Sequence, residues 1–165
     1  MFNNKSKLLM SALALTLVFF LTGCSSSSNV DTNNNEDTVL KQAVREPVSY
    51  DELKIKKSDI TDIAKFYPVM INGVKMEVIA ALATDGTIRT AFNACQVCAS
   101  SGRGYYIQVG HKLVCQNCGN EFDIDELGIA RGGCNPAPIQ DLDKIDDGEY
   151  ITIPNQTFLN NINLY

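Results

Sequence analysis

The chain has 165 residues with six cysteines, one histidine and no tryptophan, and its formal net charge is −5. An acidic chain is a poor candidate for non-specific binding of nucleic acid, which requires Lys and Arg clustered against phosphate, so no nucleic-acid partner is expected. A single histidine excludes most zinc hydrolase sites, which need two or three imidazoles. Six cysteines in so short a chain leave three roles to weigh: disulfides, metal ligands or reactive thiols.

The N-terminal residues have the pattern of a bacterial lipoprotein signal peptide. Two lysines precede an apolar run over residues 8–21, which is short for a membrane-spanning helix of about 20 residues. The run ends in the letters LTGC, which resemble a lipobox. We therefore expect a signal peptide at residues 1–23 and acylation of Cys24. The acyl chains would anchor the protein at the extracytoplasmic face of the cell membrane.

The residues that follow Cys24 predict a tether and then a folded domain. Residues 25–38 carry a single apolar side chain, Val30, and cannot bury enough surface to offset the loss of backbone entropy on folding. The sequence therefore predicts a lipidated cysteine and disordered tether at residues 24–47, and a β-rich cysteine domain at residues 48–165.

The folded domain is predicted to be mainly β, a small β-rich α+β fold. Asn72-Gly73 lies between two apolar runs and is a strong hairpin signal, because a type I′ turn needs positive φ at both central residues. A second turn at Asp85-Gly86 extends this hairpin to a three-stranded meander over residues 66–92. Pro68 has no N–H to donate, so the first strand is predicted to lie at a sheet edge. A late strand is predicted at residues 150–153.

Four cysteines form two CxxC elements on the β framework. Cys95 and Cys98 follow the meander, and Cys115 and Cys118 follow a second hairpin that turns at Gly110-His111. The sixteen residues between the two pairs are typical of a metal ribbon, in which tight turns aim the sulfurs at one ion about 2.3 Å away. Zinc and iron both suit four thiolates. The alternative is a pair of disulfides or dithiols, which export favours, although such small rings stabilise a fold little.

Cys134 is the fifth cysteine of the domain and lies in the glycine–proline segment GGCNPAP. A rigid turn of this kind makes Cys134 a candidate ligand, a thiol beside the ligands, a reactive group or a small buried hydrophobe. Tyr105 and Tyr106 point to opposite sides of their strand. One of them is therefore expected to cover the core or the metal knuckles, which are the two CxxC turns. His111 is expected to be a solvated turn residue rather than a ligand.

The segments AFNACQVC, VCQNCG and GGCNP, in this order, resemble the FtrD-like family of membrane iron–sulfur containing proteins over roughly residues 53–154. The resemblance implies an extracytoplasmic, membrane-associated domain that binds an iron–sulfur centre, in a family linked to iron transport. Asn93 stands where an acidic residue is usual in this family. The metal ligands that the resemblance implies are Cys95, Cys98, Cys115, Cys118 and Cys134.

We therefore expect a metal-binding protein with an iron–sulfur cluster or iron as cofactor, and zinc as the alternative. It would handle iron or transfer electrons together with a membrane transport or electron-transfer complex. A structural zinc-ribbon module is one alternative. A thiol–disulfide exchanger is another, with thiol pKa values lowered by the basic residues Arg103, Lys112 and Arg131. The sequence contains no GxSxG, P-loop or dinucleotide fingerprint, which favours a protein that is not an enzyme in its own right.

Overall fold

A computed structural model of the chain describes residues 48–49 and 51–165. The predicted signal peptide at residues 1–23, the lipidated Cys24 and the tether at residues 24–47 lie outside the described residues. The described residues form eleven strands and one short α-helix, which confirms the prediction of a mainly β fold. The elements are β1 (Val48–Ser49), β2 (Glu52–Lys56), β3 (Lys65–Ile71), β4 (Val74–Leu82), β5 (Ile88–Cys95), β6 (Tyr106–Val109), β7 (Lys112–Cys115), β8 (Glu121–Asp123), β9 (Pro136–Pro138), β10 (Ile145–Asp146), β11 (Tyr150–Pro154) and α1 (Asn155–Asn160).

The largest sheet has five strands in the order β1-β3-β4-β5-β9. Its centre is the meander β3-β4-β5, which confirms the prediction from the two turn signals. Asn72 has a φ of 49° and Gly73 has a φ of 80°. Both values are positive, as the type I′ turn requires, and Asn and Gly tolerate them better than other residues do.

The strand that carries Pro68 is not an edge strand, so that prediction is wrong. β1 lies beside β3 in parallel, with Val48 opposite Val69 and Ser49 opposite Met70. The paired residues of β3 come after Pro68. The short β1 ladder therefore does not use the N–H that proline lacks.

Two smaller antiparallel sheets pack beside the main one. The first has the order β10-β11-β2 and includes the predicted late strand. The second has the order β6-β7-β8 and is called here the ribbon sheet. Its first two strands form the hairpin predicted around Gly110-His111. None of the helices in the described part of the chain is long and apolar enough to cross a membrane.

The side chains of β5 belong alternately to two separate buried clusters. Phe92 and Ala94 belong to the larger cluster, which also contains buried side chains of β2, β11 and α1. Ala91 and Cys95 belong to the second cluster, together with buried side chains of the ribbon sheet. Because successive side chains of a strand point to opposite faces, β5 contacts the main core on one side and the cysteine site on the other.

Phe92 is fully buried, and its ring meets the ring of Phe158 edge to face with centroids 5.9 Å apart. We expect Phe92→Ala to lower the free energy of unfolding by about 3–5 kcal/mol, because it removes the ring and leaves a cavity. Leu142, which is 99% exposed, provides the control, and Leu142→Ala should change the same quantity by less than about 0.5 kcal/mol. Urea unfolding followed by circular dichroism measures both, and equal losses would contradict this assignment of the core.

Candidate metal centre

Four of the five cysteines of the described residues lie at or just after the ends of strands that come from two different sheets. Cys95 ends β5 and Cys115 ends β7. Cys98 and Cys118 lie in the turns that follow these strands, so each CxxC element begins at a strand end. Cys134 lies in the loop before β9, whose first residue is paired with Cys95. The main sheet and the ribbon sheet therefore place all five thiols at one location.

The sulfur atoms form one continuous cluster. The Sγ of Cys134 lies 3.2 Å from the Sγ of Cys118 and 3.5 Å from the Sγ of Cys98. The sulfurs of Cys95, Cys98 and Cys115 lie within 4.8 Å of one another, as do those of Cys98, Cys118 and Cys134. Four sulfurs bound to one ion at about 2.3 Å would lie about 3.8 Å apart, so the spacing fits a single thiolate-bound metal ion, and the donor chemistry suits zinc or iron.

Each CxxC turn directs backbone N–H groups at its sulfurs. The N–H of Cys98 donates to the Sγ of Cys95 at 3.3 Å. In the second turn the N–H of Asn120 donates to the sulfur of Cys118. Gly119, with a φ of 72°, lets the chain curl there, and its N–H donates to the carbonyl of Cys115 at 2.9 Å. Such donors stabilise thiolates and therefore suit metal ligands.

The cluster has a buried end and an exposed end. Cys95, Cys98 and Cys115 are buried, whereas Cys118 is exposed and Cys134 is half-buried. The interpretation of Cys134 as a small buried hydrophobe is therefore wrong, because its sulfur contacts two other sulfurs and reaches solvent. A partner or a metal donor has access to the site through Cys118 and Cys134.

Hydrogen bonds and burial give the thiols different pKa values. The N–H of Asn120 and the thiol of Cys134 lower the pKa of Cys118 to about 7. Burial raises the pKa of Cys115 to about 11. The neighbouring thiols of Cys118 and Cys98 raise the pKa of Cys134.

Hydrogen-bond donors, rather than basic side chains, lower the pKa of two of the thiols. For Cys95, burial acts to raise the pKa, but hydrogen bonds from Tyr106 and from backbone N–H groups outweigh burial and lower it. Lys112, which the thiol-exchange hypothesis placed near the cysteines, pairs with Glu121 at 2.6 Å. The N–H of Asn120 is the largest of the contributions that lower the pKa of Cys118.

Tyr106 connects the cysteine cluster to the core. It is fully buried in the cluster that contains three of the cysteines, whereas Tyr105 is 45% exposed, which confirms that one tyrosine of the pair covers the core or the metal knuckles. The hydroxyl of Tyr106 donates to the carbonyl of Cys134 at 2.8 Å and also makes hydrogen-bond contact with the sulfur of Cys95. One phenol therefore holds the loop of Cys134 against the end of β5.

Sequence reasoning did not assign a role to Asn93. This side chain is 3% exposed and lies on the same face of β5 as Cys95. Its Oδ1 accepts from the N–H of Tyr106 at 2.7 Å, and its Nδ2 donates to Glu77 at 2.6 Å and to the carbonyl of Tyr106 at 3.3 Å. Asn93 therefore links β5 to β6 through hydrogen bonds. A polar residue among the buried positions of a strand, as in the run TAFNAC, is the sequence signal that could have indicated such a link.

His111 is not part of the sulfur cluster. It lies at the turn between β6 and β7, whereas Cys115 ends β7. The ring is partly exposed and its Nε2 lies 3.3 Å from Asp125 and 3.7 Å from Asp123. His111 is thus a partly exposed turn residue, as expected, and its imidazole also faces two carboxylates.

The cysteine arrangement can be compared with known families. The family model described as "Membrane iron-sulfur containing protein FtrD-like" matches residues 47–165. The chain belongs to this FtrD-like family. The match includes all five cysteines of the cluster and every described strand. No curated protein and no solved structure matches the chain. The family description supports a membrane-associated protein with an iron–sulfur centre. The two groups of cysteines could hold a metal ion.

Cys118 should be the first cysteine of the metal-free protein to react with iodoacetamide. The thiolate is the reactive form, and Cys118 combines exposure with a pKa of about 7. Its rate of alkylation should therefore rise as the pH passes through 7, while the raised pKa of Cys134 delays reaction there to higher pH. Peptide mass spectrometry after short exposures measures the order, and labelling of Cys134 before Cys118 would contradict the geometry.

Gly104 allows the first CxxC turn to approach the chain that leads into β6. A Cβ at this position would lie 2.5 Å from the carbonyl carbon of Cys98 and 2.6 Å from the nitrogen of Ala99. Since both are backbone atoms, Gly104→Ala must displace the turn. We expect this change to reduce metal content and melting temperature together, and Ser100→Ala, an exposed change in the same loop, to alter neither. Metal analysis and thermal unfolding provide the readouts, and normal values in Gly104→Ala would contradict the close approach.

Proposed function

We propose that this protein is a lipid-anchored metal protein on the extracytoplasmic face of the cell membrane, whose five cysteines hold an iron–sulfur centre or iron. Its role is electron transfer or iron handling together with a membrane transport or electron-transfer complex. The observation that carries the proposal is the convergence of all five cysteine sulfurs of the described residues into one cluster. The membership of the FtrD-like family supports the choice of iron over other metals.

The chemistry of the donors supports an iron site. Thiolates are the usual ligands of iron–sulfur clusters. An iron–sulfur centre bound by these residues would supply one-electron transfer. Cys95, Cys98 and Cys115 would hold it from the buried side, and Cys118 and Cys134 from the exposed side. Tyr106 and the backbone N–H groups would stabilise the negative charge of the sulfurs, which is one of the means by which proteins tune such centres.

The membrane part of the proposal is supported by the sequence and by the family description. Residues 1–24 have the lipoprotein pattern, and the family is described as a membrane protein. Acyl chains on Cys24, followed by the tether of residues 24–47, would keep the cysteine domain close to its membrane partner. The acidic surface of the chain would favour basic partners or cations.

A structural zinc ribbon is the second candidate function. It is favoured by the three-stranded ribbon sheet, in which Cys115 ends the middle strand and the second CxxC turn joins two strands. In that case the metal would stabilise the fold and would not change oxidation state. Thiol–disulfide exchange is the third candidate, favoured by the 3.2 Å contact between the sulfurs of Cys118 and Cys134.

Two matched cysteine variants separate metal binding from membrane attachment. The protein is produced in a bacterium and purified anaerobically from membranes, and its iron, sulfide and zinc are measured with its visible absorption. We expect iron and a visible chromophore in the unaltered chain. Cys115→Ser should lower the iron content by at least about tenfold, since it removes a thiolate ligand, and leave membrane attachment intact. Cys24→Ser, the matched loss of a cysteine, should release the protein from the membrane and leave the iron content unchanged.

The other outcomes identify the alternatives. A colourless protein with one zinc ion would support the zinc ribbon and contradict the iron proposal. A metal-free protein whose CxxC pairs interconvert between thiol and disulfide would support thiol exchange. Cys134→Ser distinguishes two roles of the fifth thiol. Loss of iron would make it a ligand, whereas retained iron with loss of redox activity would make it a separate functional thiol.

A further inference from the structure

The ribbon sheet carries a second group of metal-ligating side chains at the end away from the cysteines. His111 lies at the turn that precedes β7, while Cys115 ends this strand. Four residues of a strand span about 13 Å, so the imidazole is well separated from the sulfur cluster. Asp123 ends β8, opposite the first residue of β7, and Asp125 lies in the 3₁₀ turn of Ile124–Glu126 that follows. The ribbon fold therefore brings an imidazole and two carboxylates together.

The three side chains face one another at distances that suit a bound ion. The Nε2 of His111 lies 3.3 Å from Oδ1 of Asp125 and 3.7 Å from Oδ1 of Asp123. One ligand atom from each residue lies within 4.8 Å of the other two. The side chains of His111, Asp123 and Asp125 are 39%, 45% and 38% exposed, so an ion can enter from solvent and keep water ligands.

One residue outside the group, Thr84, fixes the orientation of a carboxylate. The N–H of Thr84 donates to Oδ1 of Asp125 at 2.7 Å, and the hydroxyl of Thr84 donates to Oδ2 at 2.5 Å. Thr84 lies in the turn after β4. Partners that hold a ligating carboxylate in place are typical of metal sites, because they keep the ligand ionised and correctly turned before the ion arrives.

The two carboxylates of the group, Asp123 and Asp125, also lack a salt bridge to any lysine or arginine of the described residues. Lys112 lies opposite Asp123 and attracts it over a longer distance, but its salt bridge is to Glu121. With a neutral imidazole the group carries two negative charges, which a divalent cation would balance.

We propose that His111, Asp123 and Asp125 form a second metal site that binds a divalent first-row transition ion such as Mn²⁺, Fe²⁺ or Zn²⁺. One nitrogen and two carboxylate oxygens suit these ions and do not provide the soft sulfur donors of the cysteine centre. The proposed site is thus chemically distinct from the sulfur cluster. Binding of an ion to it does not depend on which metal the cysteines hold.

Mn²⁺ is the probe that distinguishes the two sites, because thiolates bind it weakly whereas carboxylates and imidazole accept it. The full chain, with its cysteine site as purified, is titrated with Mn²⁺, and electron paramagnetic resonance measures the free ion. We expect one bound Mn²⁺ per chain. His111→Ala should weaken this binding by at least about tenfold, because it removes a direct ligand.

Two further variants keep the test independent of folding. Asp123→Asn retains an oxygen that can accept from the N–H of Asp125, so it preserves the turn and should weaken Mn²⁺ binding to a similar extent. Asp141→Asn removes a fully exposed carboxylate elsewhere and should leave the affinity unchanged. Circular dichroism checks that each variant is folded. Absence of Mn²⁺ binding at millimolar concentration, or equal affinity in the unaltered chain and His111→Ala, would overturn the proposal and leave the group as a hydrogen-bonded link between loops.

Discussion

The hydrogen bonds between Asn93 and the backbone of Tyr106 are the interaction on which the cysteine site depends. The amide of Asn93 accepts from the N–H of Tyr106 and donates to its carbonyl, and so acts as an extra strand partner between β5 and β6. Both residues are buried, where an unpaired polar group is costly and a paired one fixes a unique arrangement. This contact joins the ribbon sheet to the main sheet. The phenol of Tyr106 then extends the connection to the loop of Cys134.

The features that local chemistry determines could be predicted from the sequence. The turns at Asn72-Gly73 and Gly110-His111 specify their hairpins because Asn72, Gly73 and Gly110 adopt positive φ, and the CxxC spacing indicated where the sulfurs meet. The features that could not be predicted depend on contacts between distant segments. Pairing of β1 with β3 makes the strand of Pro68 internal. The placement of Cys134 beside Cys118 depends on β9 joining β5, which no local pattern encodes.

The same distinction explains the two polar residues that the sequence left without a role. An asparagine in a strand and a histidine in a turn are each common, and neither has a spacing motif around it. Asn93 gains its role from β6, which starts eleven residues beyond the end of β5. His111 gains its neighbours from the turn after β8, and Asp125 is in turn held by Thr84. A polar residue whose partners come from another element is recognised only when the topology is known.

The five sulfurs are not equally secured by the fold. Four belong to strand ends and their turns, while Cys134 belongs to a loop that contains two successive glycines with positive φ, Gly132 and Gly133. This loop is held by a few contacts, including those from Tyr106 and Gln96. Local openings cost less free energy than global unfolding, and segments with few buried contacts open first. The loop of Cys134 is therefore the side of the site that we expect to open at the lowest free-energy cost, while both sheets remain folded.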